Sequence, residues 1–100
     1  MAISKNLSDA ENRVGIPISG AYYRIVSAEV QRQPIEPKFI VKIDVAIYAT
    51  STIGNDTMEV AFHRHDAPYD DINAAAGSEF LDKCYSWLMA QPSMAGATAV

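Results

Sequence analysis

The residue types best suited to chemistry lie close together in His63-Arg64-His65-Asp66. Alternate side chains of an extended strand point the same way, so His63 and His65 would share a face, as two imidazole ligands of a metal must. A metal site needs a third or fourth ligand, which Asp66 or the pair Asp70-Asp71 would have to supply. Because no zinc-finger or HExxH spacing accompanies the histidines, we predict no metal and no cofactor. The segment is instead predicted to be a polar strand end facing solvent or a neighbouring subunit.

Two other features are candidate catalytic groups: Cys84 and the adjacent acids Asp70 and Asp71. A nucleophilic thiol needs a base and an exposed electropositive pocket, whereas Cys84 lies on the apolar stripe of a predicted helix, which favours a small buried hydrophobe. Carboxylates that work as an acid–base pair face each other across a cleft, whereas neighbouring acids in a loop are typical of a helix-cap region. With no glycine-rich phosphate loop, GxSxG or Walker motif, we predict no catalytic residue and no enzyme.

Composition predicts one small globular domain. The chain has 100 residues, of which 49% are hydrophobic and 20% charged, which is ordinary for a folded domain. Its net charge of −4 argues against nucleic acid as a main partner, since phosphate binding needs a clustered basic face. Residues 51–100 contain two basic and seven acidic residues. This acidic half indicates either a solvated surface or a patch for a basic partner.

The compartment is predicted from cysteine usage and from hydrophobic runs. The single cysteine, Cys84, forms no intrachain disulfide, which suits a reducing compartment. No apolar run approaches the ~20 residues that span a bilayer, so we predict no membrane partner. The opening Met1-Ala2-Ile3-Ser4-Lys5-Asn6 has no apolar signal-peptide core, so the chain is expected to start in the cytoplasm.

Three strands are predicted in residues 21–32, 38–49 and 58–65, joined by short connections that favour an antiparallel meander. A hairpin turn is predicted over residues 50–57, which include Gly54-Asn55-Asp56. The second strand has the strongest alternation, and its other face is only half polar. That strand is therefore either central in this domain's own sheet or part of a subunit contact. The residues predicted to face the core are Tyr22, Val26, Ala28, Val30, Phe39, Val41, Ile43, Val45, Ile47, Met58, Val60 and Phe62.

We predict a loop over residues 66–71, followed by a helix between Asn73 and Met89. The predicted fold class is therefore α+β, with a meander of three or four strands and one C-terminal helix. Two helix starts compete, one capped by Asp71 or Asn73 and one capped by Ser78. Trp87 lies off the centre of the apolar stripe and is interpreted as core edge, with a contact site as the alternative. Pro92 is expected to end the helix. The stripe consists of Phe80, Leu81, Cys84, Tyr85 and Leu88.

The predicted organisation is an N-terminal arm (residues 1–19), a meander-plus-helix domain (residues 20–91) and a C-terminal tail (residues 92–100). A small sheet leaves two edges with unpaired backbone groups, which another chain could complete. The arm is expected to be ordered only where it docks, and the tail likewise could order on a partner. We therefore predict a homo-oligomer that works through protein–protein contacts.

The chain also resembles a group of small virion-associated proteins of tailed bacteriophages. The likeness is carried by the opening arm, by Gly15-Ile16-Pro17 before Ala21-Tyr22-Tyr23-Arg24-Ile25, by Val45-Ala46-Ile47-Tyr48, and by Cys84-Tyr85-Ser86-Trp87-Leu88 before Gln91-Pro92-Ser93-Met94-Ala95-Gly96-Ala97. The resemblance implies a non-enzymatic structural part of the tail, baseplate or neck. It would be present in several symmetric copies and assembled in the host cytoplasm into the virion. The alternative is a small cytoplasmic adaptor or regulatory module, and genomic neighbours would separate the two.

Overall fold

The structure is a computed structural model that describes residues 2–50 and 59–100. One antiparallel sheet with strand order β4-β3-β2-β1-β5 carries two α-helices. The predicted α+β fold is confirmed, with a sheet of five strands where three or four were predicted. The hairpin turn predicted over residues 50–57, and Met58, lie outside the described residues except for Thr50. The elements are β1 (Ile3–Leu7), β2 (Ile18–Arg32), β3 (Phe39–Tyr48), β4 (Ala61–Pro68), α1 (Tyr69–Ala74), α2 (Phe80–Met89) and β5 (Thr98–Ala99), with 3-10 turns at Asp9–Glu11 and Pro92–Met94.

The predicted meander is β2–β3–β4, and β3 lies between its two neighbours. Val41, Ile43, Val45 and Ile47 are buried, as strict alternation predicted. Phe39 is the exception, with 46% of its surface exposed. The alternation therefore marks an inner strand of this domain's own sheet, as one of the two alternatives held.

The first predicted strand faces the core through the opposite set of residues. Ala21, Tyr23 and Ile25 are buried, and the prediction that Tyr22 and Val26 face inward is wrong. Period-two alternation alone cannot choose between the two faces when both carry apolar residues.

A β-bulge in β2 then changes which positions face the core. Ile25 pairs with Val45 while Ser27 pairs with Asp44, so Val26 is an extra residue in the ladder, and it is 51% exposed. An inserted residue reverses the alternation. After the bulge the even positions face inward: Ala28 packs against the core as predicted, whereas Val30 remains 45% exposed.

The third strand also faces the core through the opposite residues from those predicted. Phe62, predicted inward, is 39% exposed, and His63, predicted outward, is half-buried. The register explains this result, because His63 and His65 lie directly opposite the core residues of β3 and side chains of paired residues share a face. Val60, just before β4, is buried as predicted.

Neither predicted helix start is the one observed, because residues 69–89 form two helices rather than one. Asp71 and Asn73 lie inside α1, and Glu79, not Ser78, caps α2. β4 runs to Pro68 and α1 begins at Tyr69, so the loop predicted over residues 66–71 is wrong. Gly77 has φ +122°, a backbone conformation that disfavours other residues and separates the helices. The Lys83 ammonium then joins them by donating to the carbonyl oxygens of Asn73 (3.0 Å) and Ala75 (3.1 Å), at the end of α1 where carbonyls lack helical partners.

The apolar stripe of α2 is confirmed at its centre. Cys84 and Leu88 are fully buried and Tyr85 nearly so, whereas Phe80 (40%) and Leu81 (46%) are exposed and were wrongly placed in the core. Trp87, by contrast, packs against the core's edge while partly exposed, as predicted.

The two ends of the chain close the other side of the sheet. β1 pairs with β2 and β5 pairs with β1. Ala2 and Val100 exchange two backbone hydrogen bonds of 3.1 and 3.0 Å. The part of the predicted arm that forms β1 therefore docks on β2 of its own chain, and part of the tail is likewise paired within the chain.

Gly77→Ala is expected to lower the free energy of unfolding by about 1–2 kcal/mol, and by more than Gly15→Ala, because a side chain at this φ is strained and would also crowd α2. An added Cβ would lie 2.8 Å from Cβ of Asp82. Gly15→Ala is the matched control, since Gly15 also has positive φ but no atom within 4 Å of the added Cβ. Urea unfolding of both variants measures the difference, and equal losses would contradict the close contact between the inter-helix turn and α2.

Candidate interaction surface

The two histidines face the helices and belong to a row of four rings that runs over the core face. Ring centroids are 6.4 Å apart for Tyr23 and His63, 6.2 Å for His63 and His65, and 6.3 Å for His65 and Trp87. The interplanar angles of 69°, 77° and 76° are those of edge-to-face contacts. We call Tyr23, His63, His65 and Trp87 the ring ladder. It joins β2 and β4 to α2.

Burial shifts the pKa values of His65 and of the core residue Cys84. It lowers the pKa of His65, with the nearby His63 adding to the effect and Asp66 opposing it. Burial also raises the pKa of the Cys84 thiol, so Cys84 is a buried, protonated side chain, as its place on the stripe predicted.

The acids considered as ligands or catalysts do not join the histidines. Asp70 and Asp71 are exposed in the first turn of α1, where negative charge suits the helix dipole. Within residues 2–50 and 59–100, no three His, Cys, Asp or Glu side chains are placed to hold a metal ion.

The sheet face away from the helices carries matched opposite charges. Asp44 accepts a hydrogen bond of 2.7 Å from Nε of Arg64, and Lys42 pairs across the strands with Glu29 on one side and Asp66 on the other. Alternating charges of this kind are typical of a solvated antiparallel face. On this face, β4 also carries the exposed aromatic side chain of Phe62.

Exposed apolar side chains gather instead at the end of the β2–β3 hairpin, where it meets α1. Val30 (45% exposed), Phe39 (46%) and Tyr69 (37%) line an open groove of about 310 Å³. Ile35, in the hairpin loop, is 71% exposed. We call Val30, Ile35, Phe39 and Tyr69 the hairpin surface.

Local chemistry holds this hairpin end in place. The Gln33 backbone N–H donates to the Lys38 carbonyl oxygen at 2.8 Å, and the Gln33 side-chain amide donates to the Pro37 carbonyl oxygen. The Arg32 guanidinium lies 5.7 Å from the centre of the Phe39 ring, close enough for a cation–π contact. The loop is therefore tied to both strands while its apolar side chains face outward.

Charges of both signs flank the hairpin surface. Arg32 and Lys38 line a groove of about 660 Å³ next to Phe39. Lys38 and Asp70 both line a smaller groove of about 130 Å³ that Phe39 and Tyr69 also line. Glu36 lines this groove as well, so charges of both signs lie beside one apolar centre.

Sequence reasoning missed most of this surface. Val30 and Phe39 were assigned to the core because they fit the alternation, and Ile35 and Tyr69 were not singled out. The available signal was Ile35 between Pro34 and Pro37, an apolar residue in a loop that prolines keep out of the sheet.

The described residues, 2–50 and 59–100, form a small α+β domain with an exposed apolar hairpin end. Within that part of the chain, no helix is long and apolar enough to cross a membrane. Comparison with protein families, curated proteins and solved structures gives no match for the chain.

Proposed function

We propose that this protein is a non-enzymatic assembly protein that makes symmetric contacts with copies of itself through the hairpin surface. The observation that carries the proposal is the cluster of large apolar side chains left exposed where the hairpin meets α1. Contiguous apolar patches on a folded domain commonly mark interaction sites, whereas singly exposed hydrophobes do not.

A second copy is the partner that fits the charges best. Lys38 and Asp70 lie beside Phe39 in one groove, so a two-fold axis through Phe39 can set Lys38 of one copy against Asp70 of the other, twice in the same interface. Opposite charges around an apolar centre set the orientation and speed encounter, while the aromatic centre supplies most of the affinity.

The particle context remains part of the proposal and is supported by the resemblance of the chain to small structural proteins of tailed phages. On that basis we propose a tail, baseplate or neck component of a virion, present in several symmetric copies. Tail or capsid genes next to the gene for this protein would support this context. Regulatory genes in their place would support a cytoplasmic adaptor instead.

Phe39→Ser is expected to weaken self-association at least 10-fold, because an aromatic side chain at an interface centre contributes about 2 kcal/mol or more. Phe62→Ser is the matched control, since Phe62 has similar exposure (39% against 46%) but lies on the opposite face of the sheet. Sedimentation equilibrium over a concentration series measures both variants. A chain that is monomeric at every concentration, or equal losses in the two variants, would contradict the proposal.

Charge reversal tests the orientation of the two copies. Lys38→Glu and Asp70→Lys should each weaken self-association, whereas an equimolar mixture of the two variants should recover it in mixed pairs. Recovery follows because each reversed charge then meets an opposite charge across the axis. If the mixture stays as dissociated as the separate variants, Lys38 and Asp70 do not face each other across the axis.

A further inference from the structure

The structure assigns a second role to the ring ladder: we propose that it is an acid-sensitive latch that holds α2 against the sheet at neutral pH and loosens it as the medium becomes acidic. This inference does not depend on self-association. It rests on geometry, because one half-buried imidazole of β4 contacts the only tryptophan of the chain, on α2, and the other contacts Tyr23 on β2.

Neutral imidazoles suit this arrangement better than charged ones. A proton on His65 places a cation in a half-buried site, and a second proton on His63 places two like charges on rings whose centres are 6.2 Å apart. The Tyr23 and Trp87 rings do little to offset this cost, since a stabilising cation–π contact requires the cation within about 6 Å of the ring centre and both distances exceed that.

Other titratable groups lie on β4, on the 3-10 turn after β1 and on α2. Asp66 lies next to His65 and favours its protonation, but less strongly than burial opposes it. Glu11 interacts electrostatically with both Tyr23 and His63. On α2, the Lys83 ammonium is bound to carbonyl oxygens at the end of α1. The net balance at His65 therefore favours the neutral ring.

The direction of the pH effect follows from linkage. Because the pKa of His65 in the folded chain lies below its ordinary value of 6.5, the unfolded chain binds more protons in this range. The stabilisation from the neutral ladder is complete above pH 6.5 and is lost as the pH falls through the folded pKa. His63 and His65 are the only histidines of the chain, and histidine is the side chain that ordinarily titrates between pH 5 and 8.

The test uses Trp87, the single tryptophan, as a local reporter. Acrylamide quenching of Trp87 and amide-exchange protection of α2 are measured at pH 7 and pH 5 on the intact chain. We expect more quenching and a loss of α2 protection at pH 5, with the protection of β1 and β2 retained. Equal quenching and equal α2 protection at the two pH values would overturn the proposal.

Histidine replacement identifies the group that titrates. His65→Gln should reduce the change in quenching between pH 7 and pH 5, and the double variant with His63→Gln should remove it. If His65→Gln lowers Tm too far to compare, His63→Gln alone should weaken the change in quenching between pH 7 and pH 5, because it removes the neighbouring group that adds to the lowered pKa of His65. A double variant that keeps the full wild-type pH response would show that other groups cause it.

Discussion

Leu88→Ala is expected to lower the free energy of unfolding by about 2–5 kcal/mol, because truncating a buried leucine loses apolar burial and leaves a cavity. Leu88 is fully buried in the core on α2. The measurement is urea denaturation followed by circular dichroism. A loss this large is a substantial part of the stability of a 100-residue domain.

Leu81→Ala is the matched control on the same helix. Leu81 was predicted in the same apolar stripe, yet it is 46% exposed, so its truncation is expected to cost less than about 1 kcal/mol. A loss for Leu81→Ala equal to that for Leu88→Ala would contradict the way α2 packs on the sheet.

Tyr85→Phe is expected to cost about 1–3 kcal/mol, because it leaves a buried backbone N–H without its acceptor. The Ile25 N–H donates to the Tyr85 hydroxyl oxygen at 2.9 Å, at the residue that precedes the extra residue of the bulge. A bulge disrupts the ladder locally, and α2 here supplies a side-chain acceptor. Burial accordingly raises the pKa of Tyr85, partly offset by this hydrogen bond.

Tyr69→Phe provides the comparison for Tyr85→Phe. Tyr69 is exposed on the hairpin surface, so loss of its hydroxyl should change stability by less than about 0.5 kcal/mol. Chemical denaturation measures the difference in unfolding free energy between the two variants. Amide hydrogen exchange at Ile25 shows whether its N–H loses protection in Tyr85→Phe. A neutral Tyr85→Phe variant with unchanged exchange at Ile25 would show that the hydroxyl does not hold the bulge.

The buried face of a strand was predicted correctly where period-two alternation was the only pattern in the strand. Val41, Ile43, Val45 and Ile47 alternate without interruption and are buried as predicted. In β2 the bulge at Val26 inserts a residue, and no local signal in the sequence marks it. In β4 the large side chain of Phe62 suggested the core, but the register with β3 places the smaller Ala61 and the histidines there.

The helices and the chain ends show a second limit. Treating Asp71 or Asn73 and Ser78 as competing starts of one helix excluded the outcome in which Gly77 divides the segment into two helices, which begin at Tyr69 and Phe80. The pairing of Ala2 with Val100 joins opposite ends of the chain, and contacts so distant in sequence leave no periodic trace. The hairpin surface was missed for a similar reason, since alternation assigned Phe39 to the core without showing where the helices stop.

The most direct test of the proposed assembly is an amide chemical-shift series on the wild-type chain from low to high concentration. We predict concentration-dependent shifts in residues 30–39 and in α1, with β1 and β5 unchanged. Shifts that stay constant across the series, or that cluster at β1 and β5 instead, would contradict assembly through the hairpin surface.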